Sequence, residues 1–448
     1  MGASLSARVE RSSSAKSRYV PRRLNVLQAI LRAHFGGFAA IYERQYARGY
    51  GRFRLERITE AVTEFLRCGD YRFGVARLKC SNPACGCEMF RPFSCKTFYL
   101  CPSCSQKRTL LFAEFLSENL LLRLPHRVLT FTVPKLLRPY FRHNRTLFAE
   151  LMQLINRLIV DFQSAAAGKP ITGGCVLAYQ SAGEFLRYHP HVHGIVLEGG
   201  FDEQGRFYHI PFGNLQNMCQ VFRRRVISLF LQHKFIDCSR AASMLSWHHS
   251  GFSVDGSIGL YGRDQKAMER LAQYMARPPI AVSKVVLEER GGKVIFHTKY
   301  NPYFRENLKL FAVTDFIAEL TQHIPPKGTH YIRRYGLYAS RSRGTWSRKP
   351  HLVRLAGPAW HADHPAARTA TSGPPQQSQQ EVEASEASST WARLIAKVYE
   401  VDPLRCSRCG AAMTVVAVIM DPVEVEKILS HLINTGRAPP GLDSYREN

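Results

Sequence analysis

Apolar residues at helical spacing (Leu24, Val26, Leu27, Ile30, Leu31) are followed by a basic-aromatic stretch over residues 42–54 and then by a dense run of cysteines ending at Cys104. Beyond it, apolar spacing predicts an amphipathic helix over residues 106–122. At residues 125–133 the period switches to two in a β-branched run stopped by Pro134, which predicts a strand. A second helix is expected over residues 145–164, strands at 174–180 and 189–197, and a turn at 198–205. Helices follow near 215–235, carrying Arg223, Arg224 and Arg225, and over 264–276. The latter is stopped by Pro278 and Pro279, since the residue before a proline is pushed out of the α region. Strand-like residues 292–297 and a helix near 314–322 complete this block. Strands and helices without regular alternation predict an α+β fold, an antiparallel sheet with helices on one face.

Over residues 356–390 the composition turns to Ala, Pro, Ser, Gln and Glu, which predicts a disordered linker. After it come a helical pattern at 391–401, the pair Cys406 and Cys409, a strand over 412–419 and a helix over 422–433. The expected organisation is therefore a flexible basic arm (1–24), a helical and cysteine-rich domain (25–110) to which the residues below assign zinc and DNA binding, the main domain (111–355), the linker, and a small C-terminal module (391–448). The Ser/Arg-rich arm superficially resembles an organelle transit peptide, but is read as a mobile basic segment.

Charge narrows the function. Lys and Arg number 61 against 35 Asp and Glu, a formal charge of +26, while 45% apolar content excludes a wholly disordered polycation. Such an excess favours a polyanion, nucleic acid ahead of anionic membrane, because phosphate neutralisation rewards each exposed cation. No apolar run reaches the length that spans a bilayer.

Seven of the twelve cysteines (Cys68, Cys80, Cys85, Cys87, Cys95, Cys101, Cys104) crowd into one stretch of a chain with no secretory apolar start. That favours metal thiolates in a reducing compartment over disulfides. Cys80 with Cys85, and Cys101 with Cys104, are the expected ligands of one structural zinc ion, each knuckle giving two thiolates. Cys87 and Cys95 lie between them, available to replace a ligand or to bind a second ion. Cys406 and Cys409 form half a site, open to completion by Cys87 and Cys95, by another chain or by nothing, with a redox role equally open.

On a strand, His189, His191 and His193 project to one side and Val192 to the other. Three imidazoles on one face are poor core filler, and alternating imidazoles suit a divalent ion that polarises a phosphodiester. A zinc hydrolase is the alternative, although this segment lacks the helical His-Glu-x-x-His arrangement. A nucleophile is still required, and tyrosine can hold a covalent phosphoryl bond. Tyr274 stands out because Arg270 and Arg277, at i−4 and i+3, share its helix face and would hold a phosphate. An ordinary amphipathic helix with a core tyrosine fits the same spacing.

Taken together, His191-Val192-His193, Tyr274 on a following helix, the upstream thiolate module, Arg277-Pro-Pro-Ile280, and Gln322-His-Ile-Pro-Pro-Lys327 leading to Arg333-Arg-Tyr-Gly-Leu-Tyr338 resemble the rolling-circle transposases of the insertion sequence 91 family and the related common-region elements. Those enzymes are HUH endonucleases, named for a His-hydrophobe-His pair. The resemblance spans roughly residues 25–355 and resumes at residues 391–403 and the Cys406 knuckle. It implies that His191 and His193, with Gln180 as third ligand, hold Mg or Mn, and that His189 supports them or contacts DNA. It further implies that Tyr274 attacks one strand to leave a 5′-phosphotyrosine and a free 3′-hydroxyl. Many members carry two tyrosines four residues apart; here Arg270 takes the earlier position, so the match is to the single-tyrosine branch. The implied partner is DNA at the element ends, single-stranded or hairpin, handled in the bacterial cytoplasm at the nucleoid, and a homo-oligomer is compatible. Arg333, Arg334 and Tyr335, with Tyr338, Arg341 and Arg343, are expected to grip single strands by charge and stacking, or to form a basic loop on the sheet. Two rival readings are an HUH nickase for plasmid replication or mobilisation, and a zinc-dependent DNA-binding protein without catalysis.

Overall fold

The computed structural model describes residues 25–51, 54–144, 146–260, 275, 279–288, 291–303, 305–365, 405–406 and 408–436. In chain order the strands are β1 (Val75–Cys80), β2 (Glu88–Pro92), β3 (His126–Thr132), β4 (Gly174–Ala182), β5 (Tyr188–Leu197), β6 (Gly199–Phe201), β7 (Phe207–His209), β8 (Ser253–Leu260), β9 (Val285–Glu288), β10 (Lys293–Asn301), β11 (Glu306–Ala312), β12 (Ile332–Gly336) and β13 (Met413–Ile419). The described residues divide into two units, one from 25–67 and 95–365, the other from 68–94 with 405–436.

At the centre of the larger unit is a five-stranded sheet ordered β12-β4-β5-β3-β8, antiparallel at every pairing. Strand alternation sends Leu129, Phe131, Leu177, Tyr179, Val192 and Val196 to one face, and Val128, Val176, Ala178 and Ile195 to the other. The first face is covered by the helices Leu147–Ala167, Gln216–Gln232 and Cys238–Ser246, whose Ile155, Phe222 and Met244 fill a single core. Phe222 is fully buried there, and truncating such a ring costs about 3–5 kcal/mol in lost transfer energy and cavity. These three helices thus lie on one face of the central sheet, as the α+β pattern predicts, while Val26–Gln45 packs with Arg54–Leu66 and Val313–Thr321. The opposite face is closed by compact pieces, a π-helical turn Phe115–Leu120 and the turns that bury Trp346 and Trp360.

Several boundaries differ from the expectations. The helix expected at 106–122 runs from Pro102 to Glu114, because Pro102 suits its first position, and then loosens into the π turn. The helices Val26–Gln45 and Arg54–Leu66 belong to the larger unit, not to a separate N-terminal domain. Tyr46 donates to Asp315 (2.7 Å), and Arg54 donates to the carbonyls of Gln322 (3.1 Å) and Ile324 (2.7 Å). The start of the expected linker is folded: helix Pro358–Asp363 buries Trp360 against Trp346, with ring centroids 6.0 Å apart. The arm 1–24, the rest of the linker and the helical pattern at 391–401 lie outside the described residues.

A second sheet, β11-β10-β9, belongs to the same unit. The smaller unit is built on the sheet β13-β1-β2, over which helix Pro422–Asn434 packs Val425 and Leu429 against Tyr71 and Val75. The C-terminal module is therefore not independent, since its strand and helix complete the sheet begun by residues 75–92.

Candidate functional site

The sheet brings the histidines into register with specific neighbours. Gln180 of β4 lies opposite His191 and Ala178 opposite His193, while on β3 Thr132 pairs with His191 and Thr130 with His193. The His191 and His193 ring centroids are 4.8 Å apart, those of His189 and His191 5.1 Å. The Nδ1 of His191 sits 2.7 Å from the His189 carbonyl, which can only accept, so Nδ1 carries the proton and Nε2 the lone pair. His193 is tethered through Nδ1 to the Thr130 hydroxyl at 3.0 Å. Burial lowers the proton affinity of all three rings: His193 down to about 3, His189 to about 4, and His191 below its ordinary value. Arg138 adds to the effect on His189 and His191. Neutral imidazoles with Nδ1 engaged are the form that ligates a metal, so this donor set suits a divalent cation.

Gln180 donates its amide N–H to the carbonyl of Met275 at 3.0 Å. Met275 is buried in the core on the histidine face, and it directly follows Tyr274 in the chain. Tyr274, Arg270 and Arg277 themselves lie outside the described residues. The same face carries a carboxylate that sequence reading missed. Asp255 of β8 pairs with Thr130, in the row of His193, and its neighbour Val254 turns to the opposite core. Only the pairing across β3 reveals it, since no sequence spacing links Asp255 to the histidines.

The turn between β4 and β5 holds this row in place. Phe185 (φ 54) and Leu186 (φ 59) are buried in left-handed backbone, at a cost of about 1–2 kcal/mol each. The Leu186 carbonyl accepts from Gln322 Nε2 and from His323 Nε2, both at 3.0 Å, so His323 Nδ1 accepts from the Ser181 hydroxyl (3.0 Å). Arg142 in turn donates to Gln322 Oε1 at 2.8 Å. The Gln322-His-Ile-Pro-Pro segment is thus a clamp on the connection between the strands of Gln180 and His191.

The residues expected to grip single strands, 333–338, are divided between the two faces of β12 and the core beyond it. Arg333 and Tyr335 pair with Leu177 and Cys175 and so lie on the face opposite the histidines, with Tyr335 packed on the helix-covered core. Tyr338 is fully buried, its hydroxyl 2.6 Å from His126 Nε2. Arg334 is on the histidine side, where it donates to Ser340 Oγ (2.9 Å) and lies 5.4 Å from the Phe115 ring. Exposed rings occur instead at the β10–β11 hairpin, where Tyr300 is 63% and Tyr303 86% exposed beside the exposed Lys299 and Arg305. The alternation of cations and aromatics in residues 299–305 was the signal for them.

The cysteines form two groups rather than the expected single set of Cys80, Cys85, Cys101 and Cys104. Cys80 and Cys85 are joined by Cys406 and Cys409, all four sulfurs within 4.8 Å of one another. Separately, the sulfurs of Cys95, Cys101 and Cys104 meet the same limit, with Cys95 and Cys104 3.6 Å apart. The physical reason is sheet pairing: β13 lies against β1 and brings the distant knuckle to Cys80. Cys87 stays outside both groups and gives its carbonyl to the Cys80 amide (2.9 Å). Cys101 and Cys104 sit at the start of helix Pro102–Glu114, where the helix dipole favours thiolate. Soft thiolates at such spacings suit structural zinc.

No helix among the described residues is long and apolar enough to cross a membrane. Residues 39–133 match the family described as "Transposase zinc-binding domain", that of the insertion sequence 91 transposases, and residues 174–345 match the family described as "Putative transposase". The chain is similar to the "Transposase for insertion sequence element IS801" of Pseudomonas savastanoi pv. phaseolicola, with 28% identity over 382 residues covering 80% of this chain and 83% of the relative. It is also similar to the "Putative transposase y4qJ" of Sinorhizobium fredii (strain NBRC 101917 / NGR234), with 23% identity over 287 residues covering 58% of this chain and 69% of the relative. No solved structure matches. The zinc-binding region precedes the transposase region that carries the histidine strand, in a chain similar to a known transposase over most of its length, so the comparisons support a transposase of the insertion sequence 91 type.

Proposed function

We propose that this transposase nicks and rejoins single DNA strands at the ends of its element, in rolling-circle fashion, with Tyr274 as nucleophile. The observation that supports this most is the hydrogen bond from Gln180, opposite His191, to Met275, one peptide unit along the chain from Tyr274. His191, His193 and Gln180 would hold Mg or Mn, which when bound supplies Lewis-acid polarisation of the scissile phosphate. The phenol oxygen of Tyr274 forms a bond to phosphorus as the bond from phosphorus to the 3′ oxygen breaks, and the phenol proton ends on that departing oxygen. The 5′-phosphotyrosyl link conserves the energy of the phosphodiester until a later 3′-hydroxyl attacks it. Arg270 and Arg277 place positive charge beside the phosphate. With Arg270 in place of a second tyrosine, each chain holds one covalent link at a time.

The test is incubation of the full chain with Mn²⁺ and a labelled single strand carrying the element's own terminus. The expected result is a covalent adduct that resists denaturing electrophoresis, absent in Tyr274→Phe and His191→Ala although both still bind the strand. Cys101→Ser should lose fold or end recognition. Tight binding by the wild type with no adduct would overturn the reading and leave a zinc-dependent DNA-binding protein.

A further inference from the structure

We infer that the zinc-binding region is completed by the far end of the chain: one structural zinc ion is held by Cys80 and Cys85 together with Cys406 and Cys409. The inference rests on the structural-zinc reading and adds to it the identity of the ligands. The matched zinc-binding region ends at residue 133 and so does not contain the C-terminal pair.

The sulfur separations are those of a thiolate cage. Cys80 and Cys409 are 3.5 Å apart, and Cys85 and Cys406 3.7 Å, close to the edge of about 3.8 Å that a tetrahedron with zinc–sulfur bonds of about 2.3 Å requires. Both knuckles are built alike. Cys85 is followed by Gly86 (φ +57) and Cys409 by Gly410 (φ +75), left-handed positions that let the chain reverse around a metal without a Cβ penalty. In the C-terminal knuckle the Gly410 amide donates to the Cys406 carbonyl at 2.9 Å and the Cys406 amide to the Ala411 carbonyl at 2.8 Å.

The two knuckles are also held together by contacts that need no metal. Ser81 donates to the Ala412 carbonyl at 2.8 Å, and β1 pairs with β13 so that Cys80 faces Met413. Leu78, Cys80, Cys87, Cys406 and Met413 bury one apolar cluster around the sulfurs. A redox pair would need only its own two cysteines, whereas here four thiols converge from segments more than 320 positions apart in sequence. The neighbouring Cys87 is buried beside the Cys406 thiol but is not among the four sulfurs that all lie within 4.8 Å of one another, which makes it the internal control.

Zinc content per chain, measured on full-length protein by inductively coupled plasma mass spectrometry, tests this. Two ions are expected for the wild type and for Cys87→Ser, one for Cys409→Ser and one for Cys406→Ser. Cobalt(II) in place of zinc gives a second reading, because its sulfur-to-metal absorption should weaken by about half in Cys409→Ser even where some fold is lost. Undiminished metal content and cobalt spectrum in both C-terminal variants would overturn the inference. So would recovery of the second ion on mixing Cys80→Ser chains with Cys406→Ser chains, since that would place the site between copies. A wild-type chain without zinc would instead sink the structural-zinc reading beneath it.

Discussion

His323 has Ser181 on one ring nitrogen and the Leu186 carbonyl on the other, and it is only 2% exposed. No smaller side chain keeps both bonds while holding Phe185 and Leu186 in left-handed backbone. His323→Ala should therefore destabilise the protein by about 2–4 kcal/mol, the sum of a cavity and an unpaired buried hydroxyl, read from the urea midpoint. It should also lower adduct yield more than strand binding, because the clamp sets the register of Gln180 against His191. An unchanged midpoint would remove His323 from this role. Gln180→Leu tests the row itself: fold retained, adduct yield down at least about tenfold, the loss typical when a metal's supporting groups are removed.

Among the described elements, the β10–β11 hairpin exposes Tyr300 and Tyr303, rings on which bases would stack. Base–aromatic stacking is worth about 1–3 kcal/mol per base, so Tyr303→Ala should weaken single-strand binding by roughly tenfold or more with an unchanged circular dichroism spectrum. Lys299→Ala with Arg305→Ala should reduce the salt slope by about 0.7 for each phosphate that is no longer neutralised. Equal binding by these variants would show that the strand lies elsewhere. The strand that carries the histidines, β5, and its neighbour β3 were legible in sequence, β5 from its alternating imidazoles and β3 from its alternating β-branched residues. β12 and β8 were not, because Ile332-Arg-Arg-Tyr-Gly336 and the Gly- and Ser-rich β8 owe their extended form to β4 and β3 beside them. The cysteine knuckles were visible as spacings, but their partners were not, because the pairing of β1 with β13 is set far along the chain.

For the whole molecule, acid should be destabilising. His126 and His323 are buried neutral, each pushed down to about 4 by desolvation. In the unfolded chain both titrate near about 6.5, so between about pH 6.5 and about pH 4 the unfolded state binds protons that the folded state refuses. Stability should fall as pH falls through that window, by about 1.4 kcal/mol per pH unit for each ring, and this contribution is fully present above it. A urea midpoint that stays flat from about pH 7 to about pH 4.5 would contradict the burial of these two imidazoles. The charge of +26 over the chain provides a general grip on phosphate but no position for a cut. In the proposed mechanism position depends on one phenol meeting a phosphate at the histidine row, and the direct measurement is mass spectrometry of the trypsin-digested adduct. Trypsin spares the bond before Pro278, so the nucleotide should be carried by the peptide of residues 271–284, on Tyr274. A nucleotide on any other tyrosine would contradict the account.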